Sequence, residues 1–132
     1  MKNTLFCLCI CLFIISCDEH FNTNELYGTY ASVNYKNTYD TIKLKRNSLY
    51  HRNVRDKNNK LVLEMDGKWE IEKDGIIRFH SFFFNLDKDI IKFPQLLSDT
   101  LNDGGGWIET KSGNIQFCVG YQIGENCYRK IK

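Results

Sequence analysis

Residues 67–79 read Gly67-Lys68-Trp69-Glu70-Ile71-Glu72-Lys73-Asp74-Gly75-Ile76-Ile77-Arg78-Phe79, two short alternations of apolar and polar side chains either side of a glycine turn. A period of two marks a half-buried strand, so the stretch predicts an antiparallel hairpin. Its register follows from which side chains can face each other. A two-residue Asp74-Gly75 loop sets Glu72 against Ile77 and Glu70 against Phe79, with carboxylates on the apolar face. A three-residue loop, Lys73-Asp74-Gly75 with Gly75 left-handed, instead pairs Ile71 with Ile77, Trp69 with Phe79 and Glu70 with Arg78. Apolar then meets apolar and opposite charges meet on the wet face, so the second register is expected.

The same texture runs outward in both directions. Leu26–Tyr35, Asp40–Lys45, Leu49–Arg55, Lys60–Met65, Lys68–Lys73 and Ile76–Phe84 read as strands, separated by turns at Asn37-Thr38, Asn47-Ser48, Asp56–Asn59, Asp66-Gly67 and Asp74-Gly75. Strands this close in sequence pair only as antiparallel neighbours, because a parallel crossover needs about a dozen residues. Residues 85–103 break the rhythm. Ile90, Ile91, Phe93, Leu96 and Leu97 recur as in a helical turn and Pro94 interrupts them, which predicts a long connection closing one end of the sheet. Asp103-Gly104-Gly105-Gly106 reads as a flexible turn, and Trp107–Lys111, Asn114–Tyr121 and Cys127–Lys132 as the last strands. The class is all-β, an antiparallel meander of about 8–9 strands forming a small barrel or barrel-like sandwich.

The N-terminus is of another kind. After Lys2, its only charge, Leu5–Ile15 is an apolar run of eleven residues, roughly 16 Å as a helix against a hydrocarbon core of roughly 30 Å. It is too short to span and fits a secretory signal. With Ile14-Ile15-Ser16-Cys17 at its end, the segment resembles a bacterial lipoprotein signal peptide with its lipobox. That resemblance implies cleavage after Ser16 and a diacylglyceryl group on Cys17. The implied organisation is a signal over 1–16, an acylated tether over 17–24 and one β domain over 25–132. Asp18 and Glu19 behind the cysteine are compatible with surface export and with inner-membrane retention. The expected address is the envelope of a Gram-negative bacterium, with the outer membrane foremost.

Cleavage also settles the cysteines. Cys7, Cys9 and Cys11 leave with the signal and Cys17 is acylated, so Cys118 and Cys127 remain as one expected disulfide in an oxidising compartment. A tight hairpin at Gly124-Glu125 would hold these two apart. A wider loop, centred nearer Gln122-Ile123, is expected instead.

Gly28-Thr29-Tyr30, Thr41–Leu44, Tyr50, Gly67-Lys68-Trp69 and Ile76–Phe79 together resemble small lipocalin-like bacterial lipoproteins. The resemblance implies a small barrel in residues 26–84 and beyond. Of the 132 residues, 116 follow the signal, enough for one domain, and their 17 basic side chains against 16 acidic ones leave no electrostatic footprint for nucleic acid.

Chemistry is sparsely signposted. His20, His51 and His80 fall in the tether and on separate strands, and no G-x-S-x-G elbow accompanies them, so no catalytic residue is assigned. Asp87, Asp89, Asp99 and Asp103 flank the long connection without the spacing of a calcium loop, and no metal or cofactor is expected. Phe82, Phe83 and Phe84 cannot all share one face of a strand. Unless the 85–103 connection covers them, they form with Trp107 a ligand or partner surface. Two function classes follow. One is an anchored binding module for a protein, a glycan or a small apolar ligand; the other is an envelope hydrolase with an acidic or histidine site at the open end of the barrel. A packed interior with an exposed aromatic patch would favour a protein partner.

Overall fold

A computed structural model describes residues 21–87, 89–93, 102–120 and 124–132. The short helix α1 (Thr23–Leu26) leads into β1 (Gly28–Ser32), β2 (Thr38–Leu44), β3 (Leu49–Asp56) and β4 (Leu61–Glu72). A 3₁₀ turn over Lys73–Gly75 joins β4 to β5 (Ile76–Phe82). Then come the helical turn α2 (Asp89–Lys92), β6 (Asn102–Lys111), β7 (Asn114–Cys118) and β8 (Cys127–Lys130). Among the described residues these eight strands form a closed antiparallel meander, each bonded to the next, with β8 returning to β1 through Tyr30–Lys130, Ala31–Arg129 and Ser32–Tyr128. This is a small lipocalin-like barrel. Closure leaves no sheet edge open for another chain to extend.

The opening hairpin has the expected register. Trp69 faces Phe79, Glu70 faces Arg78 and Ile71 faces Ile77, while Gly75 takes φ +72° in the turn. The side-chain charges pair diagonally: Arg78 Nη2 donates to Glu72 at 3.0 Å, and Glu70 meets His80 at 2.9 Å.

Four expectations change. Asp66-Gly67 is not a turn, and the two strands read around it are the single β4. Tyr50 pairs with Gly67, and a Cβ at Gly67 would sit 2.4 Å from the Tyr50 ring. The glycine is therefore there to admit an aromatic, not to reverse the chain. Gly104-Gly105-Gly106 likewise lies within β6, opposite Phe79, Arg78 and Ile77. A Cβ at Gly106 would come within 1.8 Å of the Cys118 carbonyl oxygen, so β7 can pack here only against a bare backbone. The first strand is shorter than Leu26–Tyr35, because Thr23–Leu26 forms α1, capped by the Asn22 side chain on the Asn24 N–H. Phe21 packs on the core, so structure begins inside the segment read as tether.

The fourth change concerns the phenylalanines. Ser81, at φ +59°, makes a bulge between Phe79 and Phe82, whose partners on β6 are Gly104 and Asn102. The extra residue resets the alternation and turns Phe82 inward beside Phe79, ring centroids 5.2 Å apart. Phe82 is fully buried and contributes no surface; Phe83 and Phe84 are half-buried, and Phe84 packs on the core.

The barrel has two unlike ends. At the turn end lie α1 and the tight connections 45–48, 73–75 and 112–113; at the loop end lie 33–37, 57–60 and the described residues next to the ends of β5, β7 and β8. Leu26 of α1 plugs the turn end, where the Tyr30 hydroxyl donates to its carbonyl at 2.8 Å. Cys118 and Cys127 are bonded and directly opposed, so the 119–126 connection is centred between positions 122 and 123, the wider loop expected. Residues 1–20, including the segment read as a signal, Cys17, Asp18, Glu19 and His20, lie outside the described residues, as do Pro94, Leu96, Leu97, Asp99, Gln122 and Ile123.

Candidate functional site

The interior is packed. Tyr30, Tyr50, Phe79, Phe82, Phe117 and Tyr128 are fully buried and meet ring to ring at 4.8–6.4 Å. Alternation on β1, β3, β5, β7 and β8 drives these side chains inward, and their bulk fills a barrel of this strand number.

Beneath the loop end the packing turns polar. Arg52, from β3, and Asp40, from β2, form an ion pair at 2.7 Å with both side chains at 0 % exposure. Every remaining valence is met. The Tyr128 hydroxyl donates to Asp40 at 2.8 Å, Asn85 Nδ2 to the same carboxylate at 2.9 Å, and Arg52 Nη1 to the Phe83 carbonyl. The guanidinium lies 4.3 Å over the Phe82 ring. Burial opposes the charge on Arg52, but the Asp40 carboxylate outweighs it and holds the guanidinium firmly protonated. Burial also pushes the Tyr128 hydroxyl far up, so it stays a donor. Tyr35 extends the network, its hydroxyl reaching the Asn85 carbonyl and the Asn126 side chain at 2.7 and 2.6 Å. A network this closed joins the loops to the barrel and leaves no group poised for a substrate.

The candidate ionisable residues do not converge. His80 lies on the outer wall between Glu70 and Asp103, and its hydrogen bond to Glu70, then that to Asp103, raises its pKa. His51 sits on β3 between Glu64 and Asp66. Asp87 spends its carboxylate on the N–H groups of Lys36, Asn37 and Thr38. Among the described residues no group of three His, Cys, Asp or Glu side chains is arranged to hold a metal.

What remains open is the outer wall of β6, β7 and β8. The pairings Ile76–Trp107, Cys118–Cys127 and Glu109–Gln116 lay the outward side chains in rows across the strands. One row is apolar: Ile76, Trp107, then the disulfide, then Val33, whose N–H bonds the Cys127 carbonyl. The next row is polar. Gln116 is only 3 % exposed; its Nε2 donates to Glu109 at 2.9 Å and its Oε1 accepts from Arg129 at 3.1 and 3.2 Å. These rows line a cleft of about 880 Å³. Trp107 projects into it at 64 % exposure, whereas Trp69, the other tryptophan, is 3 % exposed.

Of the surface anticipated from sequence, the structure thus keeps Trp107, buries Phe82 and half-buries Phe83 and Phe84. Glu109, Gln116 and Arg129 had no signal in the sequence, because only the register of three strands brings them into one row. Arg52 and Asp40 carry no motif that sets them apart in the sequence. No protein-family model matches the chain, and no solved structure matches it.

Proposed function

We propose that the chain is an exported lipoprotein, anchored through an acylated Cys17, and that it works as an interaction module whose partner binds the outer wall around Trp107. The observation that carries this reading is the contrast between a filled interior and a cleft outside with an exposed indole. A lipocalin-like barrel that carried an apolar ligand inside would need a hollow where Tyr50, Phe79, Phe82, Phe117 and Tyr128 meet. Tryptophan is among the residues most costly to leave in water and most often central to binding surfaces.

The disulfide supports an oxidising, exported setting. The anchor rests on Ile14-Ile15-Ser16-Cys17. Geometry gives it a consequence: from Cys17 to Phe21, which is already packed on the core, the chain reaches at most about 14 Å. An acylated Cys17 would hold the barrel close to the bilayer by its turn end.

The test has two arms. Cys17→Ala should move the protein from the membrane to the soluble fraction while it stays folded; continued membrane association would remove the anchor. A photo-reactive residue at position 107 should cross-link a partner in the native envelope, and one at Lys57, on the far turn, should not. Equal yields, or none, would remove the interaction surface.

A further inference from the structure

We propose that the cleft around Trp107 is a carbohydrate site that takes a short oligosaccharide; this rests on the reading of the same wall as the interaction surface. A pyranose ring has a face of C–H bonds and a rim of hydroxyls, each both donor and acceptor. A site for it needs a flat aromatic surface for the face and planar polar groups, held rigidly, at the rim. The wall supplies both in adjacent rows, about 6.8 Å apart along the strands. Trp107 provides the aromatic surface, flanked by Ile76 on one side and the disulfide on the other, neither of which offers a strong hydrogen-bonding group. Glu109 and Arg129 provide acceptor and donor at the rim, both fixed by Gln116 between them.

The strand geometry also makes room. Along β6 the outward neighbour of Trp107 toward the loop end is Gly105, where the nearest atom to a Cβ would lie 3.7 Å away. A sugar stacked on the indole can therefore lie flat over the strand. The volume of about 880 Å³ falls within the range typical of small-molecule sites.

Other occupants fit less well. An apolar ligand would strip water from Glu109 and Arg129 without replacing it. A peptide hot spot wants its tryptophan in a dry apolar surround. Here the indole borders exposed Glu109, with exposed Lys111 beyond it on the same face.

The full-length protein in detergent micelles is screened on a glycan array, then titrated with chitotriose, maltotriose, lactose and 3′-sialyllactose and with any array hit, following tryptophan emission. Trp69 is buried, so a change of the red-shifted component reports Trp107. We expect saturable binding of at least one saccharide, weakened about tenfold or more by Trp107→Ala and partly kept by Trp107→Tyr. Glu109→Ala should weaken it about fivefold. The substituted side chains are exposed, and unchanged thermal unfolding will show that the variants fold. Silence on the array and in all titrations, or binding indifferent to Trp107→Ala, overturns the proposal. Silence combined with a Trp107-dependent cross-link to an unglycosylated protein sinks the saccharide alone; silence with no cross-link sinks the interaction surface as well.

Discussion

At the residue scale, the side chain that ties the molecule together is Arg52, a cation at 0 % exposure in a core of aromatics. Its cost is met by Asp40, by the Tyr128 hydroxyl and by the Phe83 carbonyl, so removing it would leave the buried Asp40 carboxylate with neutral donors and no counter-charge. Arg52→Met should lower the unfolding free energy by about 3–5 kcal/mol, read from urea denaturation. A loss below about 1 kcal/mol would mean that Asp40 finds water or another donor. Two neighbouring glycines make a second contrast. Gly106→Ala puts a methyl into the Cys118 backbone and should cost about 3 kcal/mol, whereas Gly105→Ala meets only ordinary contacts and should cost under about 1 kcal/mol, since an alanine there suits a strand. Equal costs would show that β7 can move away from β6.

At the element scale, the connection after β5 is fastened to the one before β2 by the Asp87 carboxylate, beside the Tyr35–Asn85 hydrogen bond. Burial works against charge on Asp87, but the N–H groups of Asn37 and Lys36 and the side chains of Asn37 and Thr38 outweigh it and hold its pKa below the ordinary 3.8. A depressed carboxylate stabilises fully above its unfolded value and loses that contribution as pH falls through the folded value. Asp87→Ala should therefore cost about 2 kcal/mol at pH 7, with the gap to the unaltered protein narrower at a pH below the ordinary 3.8. Urea midpoints measured at both pH values test this, and a gap independent of pH would assign the role to packing. Element boundaries teach a related lesson. Gly67 and Gly104–Gly106 carry the composition of turns, yet both sit in strands, because Tyr50 and the β7 backbone occupy the space their side chains would need.

At the scale of the whole molecule, the consequence is orientation. Strand β3 alone spans about 27 Å between the turn at 45–48 and the turn at 57–60, so the anchor proposed at Cys17 would hold the loop end well away from the bilayer. A fluorophore attached at Asn47 should be quenched strongly by headgroup-labelled lipid in vesicles carrying the acylated protein, and one at Asn58 weakly. Equal quenching would show a tether too loose to orient the barrel. In the expected pose Trp107, on the wall between the ends, stays accessible from the side.

Much of the fold is legible in the chain because it rests on local rules. Alternation, turn residues and the mismatch of Glu70 with Phe79 suffice for the all-β class, the meander and the register of the opening hairpin. The pairing of Cys118 with Cys127 is formed as expected, an expectation that came from reading the N-terminal run as a cleaved signal. Less of the candidate site is legible. Trp107 stands out by composition, but Glu109, Gln116 and Arg129 meet only when β6, β7 and β8 lie side by side. Phe82 changes face because one residue, Ser81, bulges. By itself the sequence determined the all-β class, the meander order and most of the strands, since those depend on residues close along the chain. Only the tertiary structure decided that the barrel closes, that its interior is full and that Arg52 belongs inside it. These depend on volumes and charges brought together from strands far apart in sequence.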